Sequence, residues 1–401
     1  MRFRGGLVAM LTAAALVCVG CSSTVAGNPG PGMTPVNVAD LKTGPYKPEP
    51  TEYEPDISGV NDIRTIEARR MLNYVVHSYE IDPDIDVLGD IEFFWNADWF
   101  VQSNTFPEKY KPAALDNNLV AGAYVSRING DLRSRKKLII SALRFPTEAA
   151  SKKAAVEFDQ ITNSDPGRHP VPIDGHPGAL TSSADDITGI SFVAHGPYVI
   201  VVNAGVPQPN QSALADVIRR TITLQVARLD QLKSIPLDDI LDIPADPENI
   251  MRRALPEAPD YSDPFTGDLD FGAFEPSGEL HFERNPAKVR KAFDESGVDL
   301  VGRRGGVVYR TRDLQAAFRL QTVLLEAGRD DEELPPPPGL PDARCLRLDS
   351  SDAVRLFDAL CGVVYGRYVA VVVTRIPITS RSATPLYQRA AAQYAILAKS
   401  E

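Results

Sequence analysis

Cysteine and histidine carry most of the chemistry open to this chain, and Cys21 has the most telling neighbours. It follows Gly20 and an apolar run from Leu7 to Val19, which opens behind Arg2 and Arg4. A basic start, roughly a dozen apolar residues and a small residue before a cysteine have the order of a bacterial lipoprotein signal. This predicts a signal over residues 1–20, cleavage before Cys21 and acylation of its thiol. The run is shorter than the about 20 apolar residues of a membrane-spanning helix. Two or more acyl chains on Cys21 would hold the mature chain stably on the extracytoplasmic face of the cell membrane, where one chain binds only marginally. Cys18 occupies the position three before Cys21, where leucine is usual in such signals.

Cys345 and Cys361 remain after export, and an isolated pair in an exported protein predicts a disulfide. Closing that loop adds roughly 3 kcal/mol in the chain-entropy account. The spacing is far from C-x-x-C and no histidine is near, which argues against a redox or metal pair. His169 and His176 flank a proline loop with Asp174 between them, without a recognised metal-ligand spacing, so they are expected on the loop surface. Asp260, Asp263, Asp268 and Asp270 lack the order and the closing glutamate of a calcium loop. The glycines of Gly302-Arg-Arg-Gly-Gly306 lead into a strand, so they lack the helix N-terminus that would hold a phosphate. No serine–histidine–aspartate set stands out. No catalytic residue, metal ligand or cofactor is assigned.

The aromatic stretch Ile91–Phe100 holds both tryptophans. Phe93, Phe94, Trp95, Trp99 and Phe100 form a candidate cluster for an apolar ligand or a partner. Trp95 and Trp99 would share a face if the stretch were helical. The competing reading is a core plug, because aromatics dominate protein cores.

Some element must position these residues. The chain has 42 basic and 53 acidic residues, and its charge of −11 argues against nucleic acid and against docking on anionic lipid by charge. Its length suffices for two domains with substantial cores. Residues 21–56 are rich in proline and are expected as a disordered tether, reaching on the order of 100 Å if extended. A helix is expected from Ile63, with Asp62 as its N-cap.

An internal duplication follows. Gly196-Pro-Tyr-Val-Ile-Val-Val202 matches Gly366-Arg-Tyr-Val-Ala-Val-Val372, and Leu224-Gln-Val-Ala-Arg-Leu229 matches Ala392-Gln-Tyr-Ala-Ile-Leu397. The proline loops His169–Ile173 and Leu334–Pro338 fall in the same order. Each copy reads as strand, helix starting at Thr147 or Asp313, proline loop, short strands, a tight Gly-X hairpin and a closing helix. The expected fold is α+β, with two tandem related domains (57–233 and 281–401). Each is an antiparallel sheet covered by helices in a βαβββα-like order. Residues 234–280 are expected as an ordered strap or linker, with a short helix at Pro247–Leu255 behind Asp246. Cys361 corresponds to Ser191, so the disulfide belongs to the second domain only.

The segments Cys361-Gly-Val-Val-Tyr-Gly-Arg-Tyr-Val-Ala-Val-Val and Gln388–Leu397 resemble an uncharacterised two-domain family of lipoproteins from mycobacteria, nocardiae and related actinobacteria. Leu41-Lys-Thr-Gly-Pro-Tyr46 and Glu67-Ala-Arg-Arg-Met71 are similar to its N-terminal signature. The resemblance implies a lipid-anchored location and a two-domain layout, and it assigns no chemistry. The expected activity is therefore non-enzymatic. The protein would bind an apolar or amphiphilic envelope molecule, or a protein partner, between the domains or around Trp95 and Trp99. A structural role in envelope assembly is the alternative, and a hydrolase with an unrecognised site is the third reading.

Overall fold

A computed structural model describes residues 32–257, 271–352, 355–376 and 382–400. Cys18, Cys21, the signal, residues 21–31 of the expected tether and the acidic cluster Asp260–Asp270 lie outside the described residues.

The first half begins with α1 (Val60–Leu72), α2 (Ser78–Ile81) and β1 (Val87–Phe94). Then come α3 (Ala97–Gln102), α4 (Lys111–Asp116), β2 (Ala121–Ile128), β3 (Lys137–Arg144) and α5 (Glu148–Asn163). It closes with β4 (His169–Pro170), β5 (Leu180–Ser183), β6 (Thr188–His195), β7 (Tyr198–Gly205) and α6 (Gln211–Leu229). The second half has β8 (Gly272–Phe274), α7 (Pro276–Glu279), α8 (Pro286–Ser296), β9 (Leu300–Arg303), β10 (Val307–Arg310) and α9 (Leu314–Leu324). Its remaining elements are β11 (Glu332–Leu334), β12 (Arg344–Arg347), β13 (Ala359–Tyr365), β14 (Tyr368–Thr374) and α10 (Thr384–Lys399).

Each half folds around a seven-stranded antiparallel sheet, in the order β1-β2-β3-β7-β6-β5-β4 and, in the same sense, β8-β9-β10-β14-β13-β12-β11. The two orders are identical element for element, so the duplication is one of topology. The expected βαβββα unit is β3-α5-β5-β6-β7-α6, and the structure enlarges it with two preceding strands and a short edge strand. The hairpins turn at Gly196-Pro197 and Gly366-Arg367, where both glycines have φ +53° and His195 pairs with Tyr198 as Tyr365 pairs with Tyr368. That left-handed first position suits glycine, and it matches the twist of the paired strands. Thr147 and Asp313 cap α5 and α9 through side-chain acceptors to Ala150 N and Ala316 N. β7 and β14 are almost wholly buried, each with helices on both faces.

Four expectations change. The first helix starts at Val60 after Gly59. Asp62 lies inside its first turn, where its carboxylate accepts from the backbone N–H groups of Ser58 and Gly59. The short helix expected at Pro247–Leu255 is two single 3-10 turns, because Glu248 and Asn249 both adopt left-handed backbone (φ 52° and 59°). Asp246 nevertheless accepts from Met251 N and Arg252 N.

Residues 32–56, expected as part of the tether, lie packed on the second half. Leu41 and Tyr46 are buried in its core. Thr34 donates twice to Asp342, Arg389 donates to the Tyr46 hydroxyl at 3.2 Å, and Lys399 pairs with Glu49 at 2.6 Å. Proline keeps this strand of chain extended, and a few well-spaced apolar side chains are enough to hold it. The expected linker is likewise structural: Ile240, Ile250, Met251, Ala254 and Leu255 are buried, and residues 272–279 supply β8 and α7. From Gly32 onward the two halves therefore form one compact body.

Candidate functional site

The site begins with a buried carboxylate on α1. Glu67 is fully enclosed, pairing with Arg144 of β3 at 2.6 Å and with Arg70 at 2.8 Å. Arg70 and Arg144 also donate to the backbone carbonyls of Lys233 and Ile235. Two guanidiniums close on one buried carboxyl group, so losing any member would leave buried polar groups without a partner. This knot fixes where the chain leaves α6 and runs back across α1.

The neighbouring face of α1, which Arg70 shares, borders a cleft of about 460 Å3 where the two halves meet. Its walls are Ile57, Ile66, Ile240, Ile243, Phe274 and Leu300, with the 240–247 strap on one side and β8 on the other. Arg69, Arg70 and Asn73 stand along its α1 wall, and Asp242 and Glu275 also border it. The Asn73 side-chain oxygen is shut away from solvent without a hydrogen-bond donor. Ile57 and Leu241 remain 39% and 49% exposed. The size falls within the range of small-molecule sites, and a mainly apolar wall with a few convergent polar groups is their usual make-up.

Beside the cleft the halves are locked by buried polar groups. Arg127 of β2, 1% exposed, donates to the carbonyls of His281 at 2.6 Å and Glu283 at 3.1 Å. His77 stacks on His281 with ring centroids 4.0 Å apart, and His281 Nε2 meets the Val75 carbonyl at 3.1 Å. Burial first, and then neighbouring positive charge, lowers both imidazoles, His281 to about 3. Both rings are therefore neutral at physiological pH. Further into the second half, Arg303 donates to Glu279 at 2.6 Å with both side chains buried, and Tyr309 donates to Glu283 at 2.7 Å. Burial raises both carboxyls.

The aromatic cluster does not form a single surface. Phe93 faces the core under α1 and α6, whereas Phe94 and Phe100 are sealed in the core under α5. Trp95 and Trp99 are half-buried and stack at 4.5 Å, although Trp95 precedes α3 and only Trp99 lies on it. Neither tryptophan lines the cleft. Cys345 and Cys361 are bonded to each other across paired strands. His169 pairs with Asp186 and His176 with Thr223, so the two turn to different partners. Among the described residues no group of three or more potential metal ligands is found, and no helix is long and apolar enough to cross a membrane.

The sequence points to a cleft between the domains but to none of its lining residues, and not to the His77–His281 stack. The cleft's residues sit in a segment whose composition suggests a connection. The two histidines are some 200 residues apart, in unrelated local contexts. The one available signal was the run of spaced isoleucines and prolines at 240–247.

No curated protein sequence matches this chain. Among solved structures, the crystal structure of the extracellular domain of PknH from Mycobacterium tuberculosis is similar at 12% identity and a TM-score of 0.31, over 41% of this chain and 97% of that one. Residues 55–245 match the family described as "Domain of unknown function (DUF7373) N-terminal", and residues 250–400 match its C-terminal counterpart. The boundary between the two matches falls in the strap that walls the cleft, and the chain belongs to the DUF7373 family, whose two parts are the two halves seen here.

Proposed function

We propose that this protein is a non-enzymatic binding protein, held on the outer face of a bacterial cell membrane by lipid on Cys21, and that it takes an apolar or amphiphilic envelope molecule in the cleft between its halves. The observation that carries this reading is the cleft itself. Its isoleucine, phenylalanine and leucine walls suit an apolar body, while Arg69, Arg70 and Asn73 suit a polar end. The signal-like order before Cys21 and the resemblance to actinobacterial lipoproteins support the location. The acidic charge supports anchoring by acyl chain over anchoring by basic residues.

The test is mass spectrometry of small molecules that co-purify with the detergent-extracted protein, compared with a Leu241→Asp, Ile57→Asp double variant. Both residues are exposed, so the variant is expected to fold while losing the bound amphiphile. Equal recovery from both proteins would remove the cleft as the site. Cys21→Ala is expected to release the protein from the membrane fraction or leave it unprocessed. Unchanged retention would remove the lipid anchor.

A further inference from the structure

The duplication repeats a cavity as well as a fold. In the second half a space of about 290 Å3 lies between the sheet, α8 and α9, and in the first half a space of about 220 Å3 lies at the matching place beneath α5. Ile190 and Val201 of one correspond to Leu360 and Val371 of the other, each pair 170 residues apart. At the next inward-facing position of the same central strand the copies part. The second half has Val373, whereas the first has Asn203.

Asn203 sits in β7 between Ile139 of β3 and Ile190 of β6. Its side-chain oxygen is buried and accepts no hydrogen bond. A buried acceptor without a donor costs stability, and the second copy shows that valine fits the same strand position. The charged groups of this cavity are already engaged: Lys109 pairs with Asp165 at 2.6 Å, and Arg168 donates to the hydroxyl and carbonyl of Ser182. What remains is a neutral acceptor facing apolar and aromatic walls that include Phe106, Tyr124 and Ile139. An apolar cavity of about 150 Å3 admits benzene, so this one has room for a single substituted ring.

We propose that the first-half cavity binds a neutral, ring-sized molecule that donates a hydroxyl hydrogen bond to Asn203 Oδ1 and lays its apolar face against Phe106 and Ile139. The second-half cavity, with valine at this position, lacks that recognition. This site is separate from the cleft between the halves and does not depend on the function proposed for it.

Ligand-observed NMR titration of the full chain tests it, with phenol and D-glucose as ring alcohols of two sources, and toluene and benzoate as controls without a hydroxyl or with a charge. At least one ring alcohol is expected to bind at least tenfold more tightly than either control. Asn203→Val is expected to weaken it about tenfold and to raise the melting temperature. Asn203→Ala gives the same readout should the valine variant fail to fold. The Leu241→Asp, Ile57→Asp variant should retain this binding, which separates its failure from failure of the cleft. Unaltered affinity in Asn203→Val, equal binding of toluene, or no binding of either ring alcohol at millimolar concentration would each overturn the proposal.

Discussion

Gln225 and Gln393 occupy the same place on the two closing helices, and each grips its own half by the same pair of hydrogen bonds. Gln225 donates to the Tyr74 carbonyl at 2.8 Å and accepts from Val76 N at 3.0 Å. Gln393 donates to the Arg253 carbonyl and accepts from Leu255 N, both at 2.7 Å. Both side chains are fully buried. The equivalence makes the strap before Leu255 the counterpart of the chain that leaves α1. A segment with the composition of a linker is thus the opening of the second repeat.

Replacing either glutamine by leucine keeps the volume and removes both bonds, leaving a buried carbonyl and a buried N–H without partners. Each such group costs about 1–3 kcal/mol, so Gln225→Leu and Gln393→Leu should each lose about 2–6 kcal/mol in urea unfolding. A loss within 0.5 kcal/mol, the usual size of a surface substitution effect, would show that the grip does not stabilise the fold.

The disulfide has a polar counterpart in the first half. Cys345 and Cys361 face each other across β12 and β13, and at the matching pair across β5 and β6 the Thr181 hydroxyl donates to Ser191 at 2.7 Å. Thr181→Cys combined with Ser191→Cys should therefore oxidise to a second bridge, adding roughly 2–3 kcal/mol for so short a loop. Non-reducing mass spectrometry with and without dithiothreitol reads both bridges. Persistent free thiols at 181 and 191 would mean that the two hairpins are not equivalent in geometry.

Tyr46 distinguishes a docked N-terminal segment from a loose one. It is 3% exposed, with the Arg389 guanidinium 5.1 Å above its ring. Tyr46→Ala should cost about 3–5 kcal/mol, the range for removing a buried aromatic. A substitution in a free tether would leave the unfolding midpoint where it is.

Acid sensitivity follows from the histidine stack. His281 is held at about 3, against an ordinary value of 6.5. Below pH 6.5 the unfolded chain takes up a proton that the native chain refuses. The contribution of His281 is therefore complete above that pH and is lost as pH falls toward 3, at about 1.4 kcal/mol per pH unit. Burial raises Glu279 above its ordinary 4.5, which acts in the opposite sense above pH 4.5. The useful measurement is therefore the difference between wild type and His281→Asn. That difference should shrink by about 1 kcal/mol between pH 6.5 and pH 5.5. An unchanged difference would place the His281 titration elsewhere.

Much of this architecture is legible in the amino-acid order. The hairpin glycines at 196 and 366, the helix starts at Thr147 and Asp313 and the valine-rich central strands depend on local backbone chemistry or on a pattern present twice, and the bridge between Cys345 and Cys361 follows from their being the isolated pair left after the signal. The aromatic stretch was legible as either a core plug or a binding cluster. The structure makes Val87–Phe94 a strand whose alternation puts Phe93 and Phe94 on opposite faces, each against its own core, which the aromatic pattern alone did not say.

By itself, then, the sequence determined the repeated unit, its order and its turns, because propensity, capping and strand alternation act within a few residues. Only the tertiary structure decided that Tyr46 belongs to the second half, that Arg127 and His77 reach His281, and that Ile66, Ile243 and Phe274 close one cleft. Those contacts join segments up to more than 300 residues apart, as Tyr46 with Arg389 does. Their partners are chosen by packing of the whole body, which no local pattern encodes.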